Sequence, residues 1–204
     1  RVGILDFGFG GYDRLQQGGV LPAPVAARVF FRSNPGVAMG GTVHGTACAE
    51  IIHQMAPDAT LLIAQVGNGA GSAAEGDIVE AARWLVDQGV DIINFSGGGQ
   101  VGPHDGTSVL DDMVNRISAQ GVLWVNANGN DGGSHWLGQV VDKDGNGFVD
   151  IPGNNQGDFL LVETCGERCG GFTLSLNWDD WKDGAVDVDA WLLGQGSNGQ
   201  PYTA

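Results

Sequence analysis

Apolar residues along the first 130 positions fall into two kinds of run that alternate. Short, mostly apolar runs at Val2–Leu5, Leu61–Val66, Val90–Phe95 and Val122–Ala127 predict strands buried on both faces, as in a parallel sheet. Val25–Phe31 is also strand-like. Between them lie stretches with apolar residues at helical period. Tyr12–Gln17 predicts a short helix closed by Gly18-Gly19. A second helix follows the Gly- and Pro-rich loop 34–41 and runs to Met55, before Pro57. Its Ala47, Cys48, Ile51, Ile52 and Met55 make one apolar face, predicted to be buried. Glu75–Gln88 predicts a helix with Ile78, Val79, Ala82, Leu85 and Val86 inward and Gly89 as stop. Ser108–Gln120 predicts another, with Leu110, Met113, Val114 and Ile117 inward and Gly121 as stop. Strands alternating with helices imply an α/β fold, a parallel sheet flanked by helices. In such sheets function gathers beyond the carboxyl ends of the strands. Asp6, Ser96 and Asn130 all fall just after a strand.

The pattern changes after about Trp136. Residues 131–204 hold 12 acidic and 3 basic side chains. Phe159–Thr164, Phe172–Trp178 and Val186–Leu193 are strand-like and separated by Gly- and Asp-rich turns, which predicts a partial β-sandwich. The expected division is therefore an α/β core over 1–136 and an acidic, β-rich insertion over 137–204. Within the second part, Asp142, Asp144, Asn146, the Phe148 carbonyl and Asp150 stand at positions 1, 3, 5, 7 and 9 of an EF-hand-like loop. Oxygen donors at that spacing suit calcium. Position 12 is Gly153, so the bidentate Glu of such loops is absent, and no helices are predicted on either side.

Charge narrows the partners. The net charge is −15, from 24 acidic and 9 basic residues. Phosphate binding needs clustered Lys and Arg, so nucleic acid and anionic membrane surfaces are not expected partners. No run of about 18 apolar residues predicts a membrane-spanning helix. No signal peptide is read at the start; Arg1 enters a strand almost at once, which suggests that a preceding segment of the natural chain is absent. Of the three cysteines, Cys165 and Cys169 could close a small disulfide loop, and Cys48 reads as a buried thiol. His53, His104 and His135 have no recognisable partners.

Candidate chemistry centres on Val43-His44-Gly45-Thr46, where a loop meets a helix and a histidine can reach out of the core. With Val2–Gly8, Ile92–Gly98 and Val122–Gly132, this stretch resembles the subtilisin-like serine proteases (subtilases), with four motifs in the family's order. The resemblance implies that Asp6 orients His44, that His44 is the general base and then the general acid, and that Asn130 supplies the oxyanion hole. Ser96, Gly97 and Gly98 would bind an extended polypeptide substrate through their backbone. It also implies a secreted endopeptidase, and the second part is similar to small β-sandwich domains that accompany bacterial subtilases. The chain departs from the family pattern at Phe7, where Thr or Ser is usual, at Ala47, where a second His is frequent, and at Glu50, where Gly is frequent. The family's nucleophile sits in a G-T-S-x-A-x-P-like stretch after the oxyanion Asn. Gly106-Thr107-Ser108 precedes Asn130 and continues differently, so Ser108 reads as a helix N-cap with Asp111 three residues on. The nucleophile is thus expected in the remaining C-terminal part of the catalytic domain, outside these residues, and this fragment alone is expected to be inactive. A catalytically inactive, subtilase-like binding or structural module is the alternative.

Overall fold

The computed structural model describes residues 1–99, 102–103, 105–130, 137–151, 176–177, 193–195 and 201–203. The chain forms two compact units, Arg1–Asn128 with Asn177–Ala204, and Gly129–Leu176. The predicted strands of the insertion lie outside the described residues, apart from Leu176, Asn177 and Leu193, as do Cys165, Cys169, His104 and His135. The boundary expected after Trp136 falls at the edge of the undescribed residues 131–136.

The first unit is built on five parallel strands: β1 (Val2–Asp6), β2 (Ala26–Phe30), β3 (Leu61–Val66), β4 (Ile92–Phe95) and β5 (Leu123–Asn126). Their order is β2-β3-β1-β4-β5, so the strand that begins the chain lies at the centre. The helices are α1 (Tyr12–Gln17), α2 (His44–Met55), α3 (Glu75–Asp87) and α4 (Val109–Ser118). A parallel sheet with helical crossovers was legible in the periodicity.

Period-two alternation sorts the strand side chains between two faces. Leu5, Leu62, Ala64, Ile93 and Phe95 share one cluster with Leu85 of α3 and with Met113 and Ile117 of α4. Ile4, Leu61 and Ile63 point the other way, into a cluster with Ala49 of α2, Phe9 and Tyr12. Gly3 keeps α3 close, since a Cβ there would lie 2.9 Å from Leu85 Cδ2. The inner stripes of α3 and α4 match the prediction in outline. Ile78, Ala82 and Leu85 are buried, as are Met113 and Ile117, with Val79, Val86, Leu110 and Val114 packed partly against them.

For α2 the prediction holds only in part: of its predicted face, Cys48 and Ile52 pack partly against the core. Gly45, Thr46 and Ala49 are its buried residues, whereas Ile51 is 63% exposed, Met55 83% exposed, and Ala47 exposed. The small residues face the sheet because they let the helix backbone approach it closely. β5, read as a buried strand, has Leu123 58% and Val125 44% exposed.

Two short strands, β6 (Leu193–Gln195) and β7 (Pro201–Thr203), form a separate antiparallel pair. In the second unit, residues 141–150 close a loop through Asp150 N–H donating to the Val141 carbonyl at 2.8 Å. Among the described residues no helix is long and apolar enough to cross a membrane.

Candidate active site

Three polar side chains line the carboxyl rim of the central strands. Asp6 ends β1 opposite Gln65 of β3, and Ser96 follows directly after Phe95, which pairs with Leu5. Asp6 lies on the same face as Ile4, under the start of α2, and is 0% exposed. Burial raises the pKa of its carboxyl above 3.8, while hydrogen bonding and charge from His44 and the Phe7 and Gly8 amides oppose the rise. Phe7 N–H donates to Asp6 Oδ1 at 2.8 Å.

His44 is the first residue of α2, and its Nδ1 lies 2.8 Å from Asp6 Oδ2 and 3.0 Å from Oδ1. The ring is 54% exposed, so one edge is anchored in the rim while much of the ring meets solvent. The sequence secures this geometry through backbone close to backbone. Gly45 N–H donates to the Gly8 carbonyl at 2.9 Å, and Thr46 Oγ1 donates to the Gly10 carbonyl at 3.0 Å. A Cβ on Gly45 would meet Gly8 O at 2.7 Å and both Asp6 Cβ and Phe9 Cε1 at 2.8 Å. The H-G-T order thus follows from packing: the ring, then a position without space for a side chain, then a hydroxyl tie.

The preceding loop is laced down as well. Phe9 N–H donates to Gly40 O, Gly10 N–H to Thr42 O, and Thr42 N–H to Gly69 O, all between 2.8 and 2.9 Å. Gln65 Oε1 accepts from Gly40 N–H at 2.8 Å, and its buried Nε2 has no hydrogen-bond partner among the described residues. Sequence reasoning missed Gln65; the available signal was a lone polar residue inside an apolar strand.

Cys48, one helical turn after His44, is half-buried rather than fully buried. Asp6, His44 and Cys48 each place one oxygen, nitrogen or sulfur atom within 4.8 Å of the others. Burial pushes the Cys48 thiol up; a hydrogen bond with Ser96 opposes this and the Asp6 charge adds to it. The departures at Phe7 and Glu50 are accommodated. Phe7 packs on Phe95 with ring centroids 5.9 Å apart, and partly exposed Glu50 accepts from Gln54 at 3.3 Å.

Ser96 accepts from Asn94 Nδ2 at 3.1 Å. Gly97 is packed: a Cβ there would meet Phe7 Cε2 at 2.6 Å and Phe95 Cζ at 2.7 Å, and its carbonyl accepts from Asn126 at 3.1 Å. A Cβ on Gly98 would stand in open space. Asn130 is exposed and belongs to the second unit, where it follows Gly129 at φ 80°. Ser108 caps α4 as expected: its Oγ accepts from Asp111 N–H at 3.1 Å, and its own N–H donates to Asp111 Oδ2 at 3.0 Å.

Within the loop 142–150, Asp142 accepts from the amides of Gly145, Gly147 and Asn146 at 2.7, 2.9 and 3.2 Å. The Gly147 amide leads in holding its carboxyl below the ordinary value. Asp144 accepts from Asn146 N–H, Asn146 Oδ1 from Phe148 N–H, and Asp150 from Lys143 N–H. The backbone wraps the Asp142 carboxylate; Asp142, Asp144 and Asn146 are exposed and Asp150 is half-buried, and their side-chain oxygens are hard donors of the kind a calcium ion takes.

A carboxylate-anchored imidazole at the rim of a parallel sheet, opening a helix in H-G-T, is an Asp–His arrangement of the kind that triad hydrolases use. The family model described as the subtilase family matches residues 32–162, and the chain belongs to that family. It is 29% identical over 143 residues to subtilisin DY of Bacillus licheniformis, covering 66% of this chain and 48% of that one. Alkaline elastase YaB of Bacillus sp. (strain YaB) is 28% identical over 133 residues, covering 65% and 34%. The crystal structure of a lanthipeptide protease superposes with a TM-score of 0.51 at 25% identity, over 64% of this chain and 39% of that one. The chain thus spans between a third and a half of the length of these relatives.

Proposed function

We propose that this chain is the first part of the catalytic domain of a secreted, subtilisin-type serine endopeptidase that hydrolyses polypeptides by acyl transfer. The observation that supports this most is the 2.8 Å contact between His44 Nδ1 and a fully buried Asp6. Asp6 accepts a hydrogen bond from Nδ1–H, which fixes the tautomer and leaves Nε2 to act as base. His44 takes the proton from an attacking serine hydroxyl and then gives it to the departing amine. The Asn130 amide donates to the oxyanion; loss of such a donor costs roughly 3–4 kcal/mol in the transition state, a figure taken from a subtilisin. Ser96, Gly97 and Gly98 lie along an extended substrate, with Gly98 as the open position. The serine is supplied by the remaining C-terminal part of the catalytic domain, and residues 137–204 form an insertion ahead of it.

The 142–150 loop holds a structural calcium ion through Asp142, Asp144, Asn146, the Phe148 carbonyl and Asp150. Chelation is then expected to lower the melting temperature; an unchanged one argues against the ion.

The alternative, an inactive module, is motivated by the departures from the family pattern at Phe7 and Glu50 and by the lack of the family's serine stretch in residues 1–204. A fluorophosphonate probe separates the two. It is expected to label the product of the complete reading frame at a serine outside 1–204, and to leave the isolated chain unlabelled. Labelling within 1–204 sinks the account of the nucleophile; no labelling of the complete product favours the module.

A further inference from the structure

Gly97, Gly98 and Gly99 follow Ser96 at the end of β4, three glycines in a row. Such a run has little conformational preference of its own. A side chain at Gly97 could not anchor it, because the rings of Phe7 and Phe95 fill that place, 2.6 and 2.7 Å from where a Cβ would stand. The anchor comes from the neighbouring strand. Asn126, the last residue of β5, donates from Nδ2 to the Gly97 carbonyl at 3.1 Å and to the Ala127 carbonyl at 2.6 Å. Its Oδ1 accepts from Trp124 Nε1 at 3.1 Å, which orients the amide and leaves its NH2 for Gly97. Trp124 is seated in turn on Phe95, with ring centroids 5.7 Å apart, and Phe95 on Phe7. An aromatic row across β1, β4 and β5 thus supports the start of the glycine segment, and the Asn126 amide ties it down.

The tie decides which backbone groups remain for a ligand. Successive residues of a strand turn their N–H and C=O to opposite edges. Phe95 turns toward β5, where its carbonyl accepts from Ala127 N–H at 3.1 Å. Gly97 turns the same way, to Asn126. Ser96 and Gly98 therefore turn to the other edge. β1 occupies that edge only as far as Asp6, and among the described residues nothing bonds to the backbone of Ser96 or Gly98. We propose that Asn126 is a positioning residue for substrate: by holding Gly97 on β5 it sets Ser96 and Gly98 to pair with an extended polypeptide lying beyond the end of β1. The inference rests on the proposed peptidase reading and narrows it, since Gly97 then borders the substrate without pairing to it. Ser96 is level with Asp6, because Leu5 pairs with Phe95. The substrate residue beside the cut thus pairs with Ser96, and the one two positions away with Gly98.

The product of the complete reading frame is assayed on peptide p-nitroanilides with one, two, three and four residues before the cut. In the parent, kcat/KM is expected to step up when the third residue reaches Gly98; a parent without that step overturns the proposal. Asn126→Asp keeps the acceptor for Trp124 and loses the donor to Gly97. Its step is expected to shrink about tenfold, the worth of one or two backbone hydrogen bonds, and to do so in KM more than in kcat. Asn126→Ala, which brings no charge, is expected to behave alike. An undiminished step in either variant overturns the proposal. So does a loss equal at every length, which marks a general structural fault. Fluorescence polarisation of a fluorescein-labelled tetra-alanine peptide gives a Kd that does not depend on cleavage. A Kd about tenfold weaker in Asn126→Asp, in a product that fluorophosphonate leaves unlabelled, keeps the positioning role and removes the peptidase. An equal Kd in a labelled product does the reverse.

Discussion

Gly45→Ala is the smallest change that separates a packing account of the H-G-T order from a merely chemical one. The added methyl would sit 2.7 Å from a backbone carbonyl and 2.8 Å from two carbons, one of them the Cβ of Asp6. Ordinary contact begins at 3.4 Å, so α2 must retreat by about 0.6–0.7 Å along directions that none of these neighbours can yield cheaply. Overpacking of this size costs about 1–3 kcal/mol. The retreat also lengthens the His44–Asp6 contact, because residue 45 is covalently next to the ring. Misplacement on the order of 1 Å costs about 10²-fold in rate. Urea denaturation gives the stability, and kcat on a peptide substrate, measured with the product of the complete reading frame, gives the rate. Gly36→Ala is the control: the nearest atom to its Cβ is a flexible Asn34 oxygen at 3.5 Å, so its effect should stay within about 0.5 kcal/mol. A Gly45→Ala variant as stable and as active as the parent would refute the close-approach argument.

Ser108→Ala should destabilise the protein by about 1 kcal/mol through loss of the α4 cap and leave peptidase activity unchanged. Lost activity at unchanged stability would instead make Ser108 the nucleophile. Asp6→Asn should lower kcat by about 10⁴, as for the equivalent change in another triad protease. The same variant carries a stability signature with a definite sign. Because burial raises the folded-state pKa of Asp6, protonated Asp6 binds its proton more tightly folded than unfolded, so its contribution declines as pH climbs from 3.8 through the raised value. Stability of the variant minus that of the parent should therefore become more favourable across that window; a flat difference contradicts a raised pKa.

Element order was legible because each strand is a short apolar run and each helix carries an apolar stripe. Tyr12–Gln17 and Leu61–Val66 have the predicted bounds, since glycines or a proline-led turn punctuate them sharply. The inner face of α2 was misread for a physical reason: its close contact with the sheet is made by Gly45, Thr46 and Ala49, which carry little hydrophobic signal. Of its large apolar residues, Ile51 and Met55 are exposed and Ile52 packs only partly against the core. At the site, the Asp6–His44 pair was readable from the strand-end Asp and the H-G-T junction. Gln65 was not, because an apolar strand conceals the side on which its one polar residue emerges. The closeness of Cys48 to Asp6 and His44 was also missed, although its spacing of four from His44 was a signal for it.

The central claim is that Asp6 holds the proton on Nδ1 of His44 and leaves Nε2 as the basic nitrogen. Proton–nitrogen correlation spectra of protein labelled with ¹⁵N-histidine test it directly, and four histidines keep assignment tractable. With His44 neutral, the expected result is a slowly exchanging Nδ1–H signal from His44 that disappears in Asp6→Ala. A neutral His44 carrying its proton on Nε2, or an Nδ1–H signal unchanged by Asp6→Ala, would contradict the account.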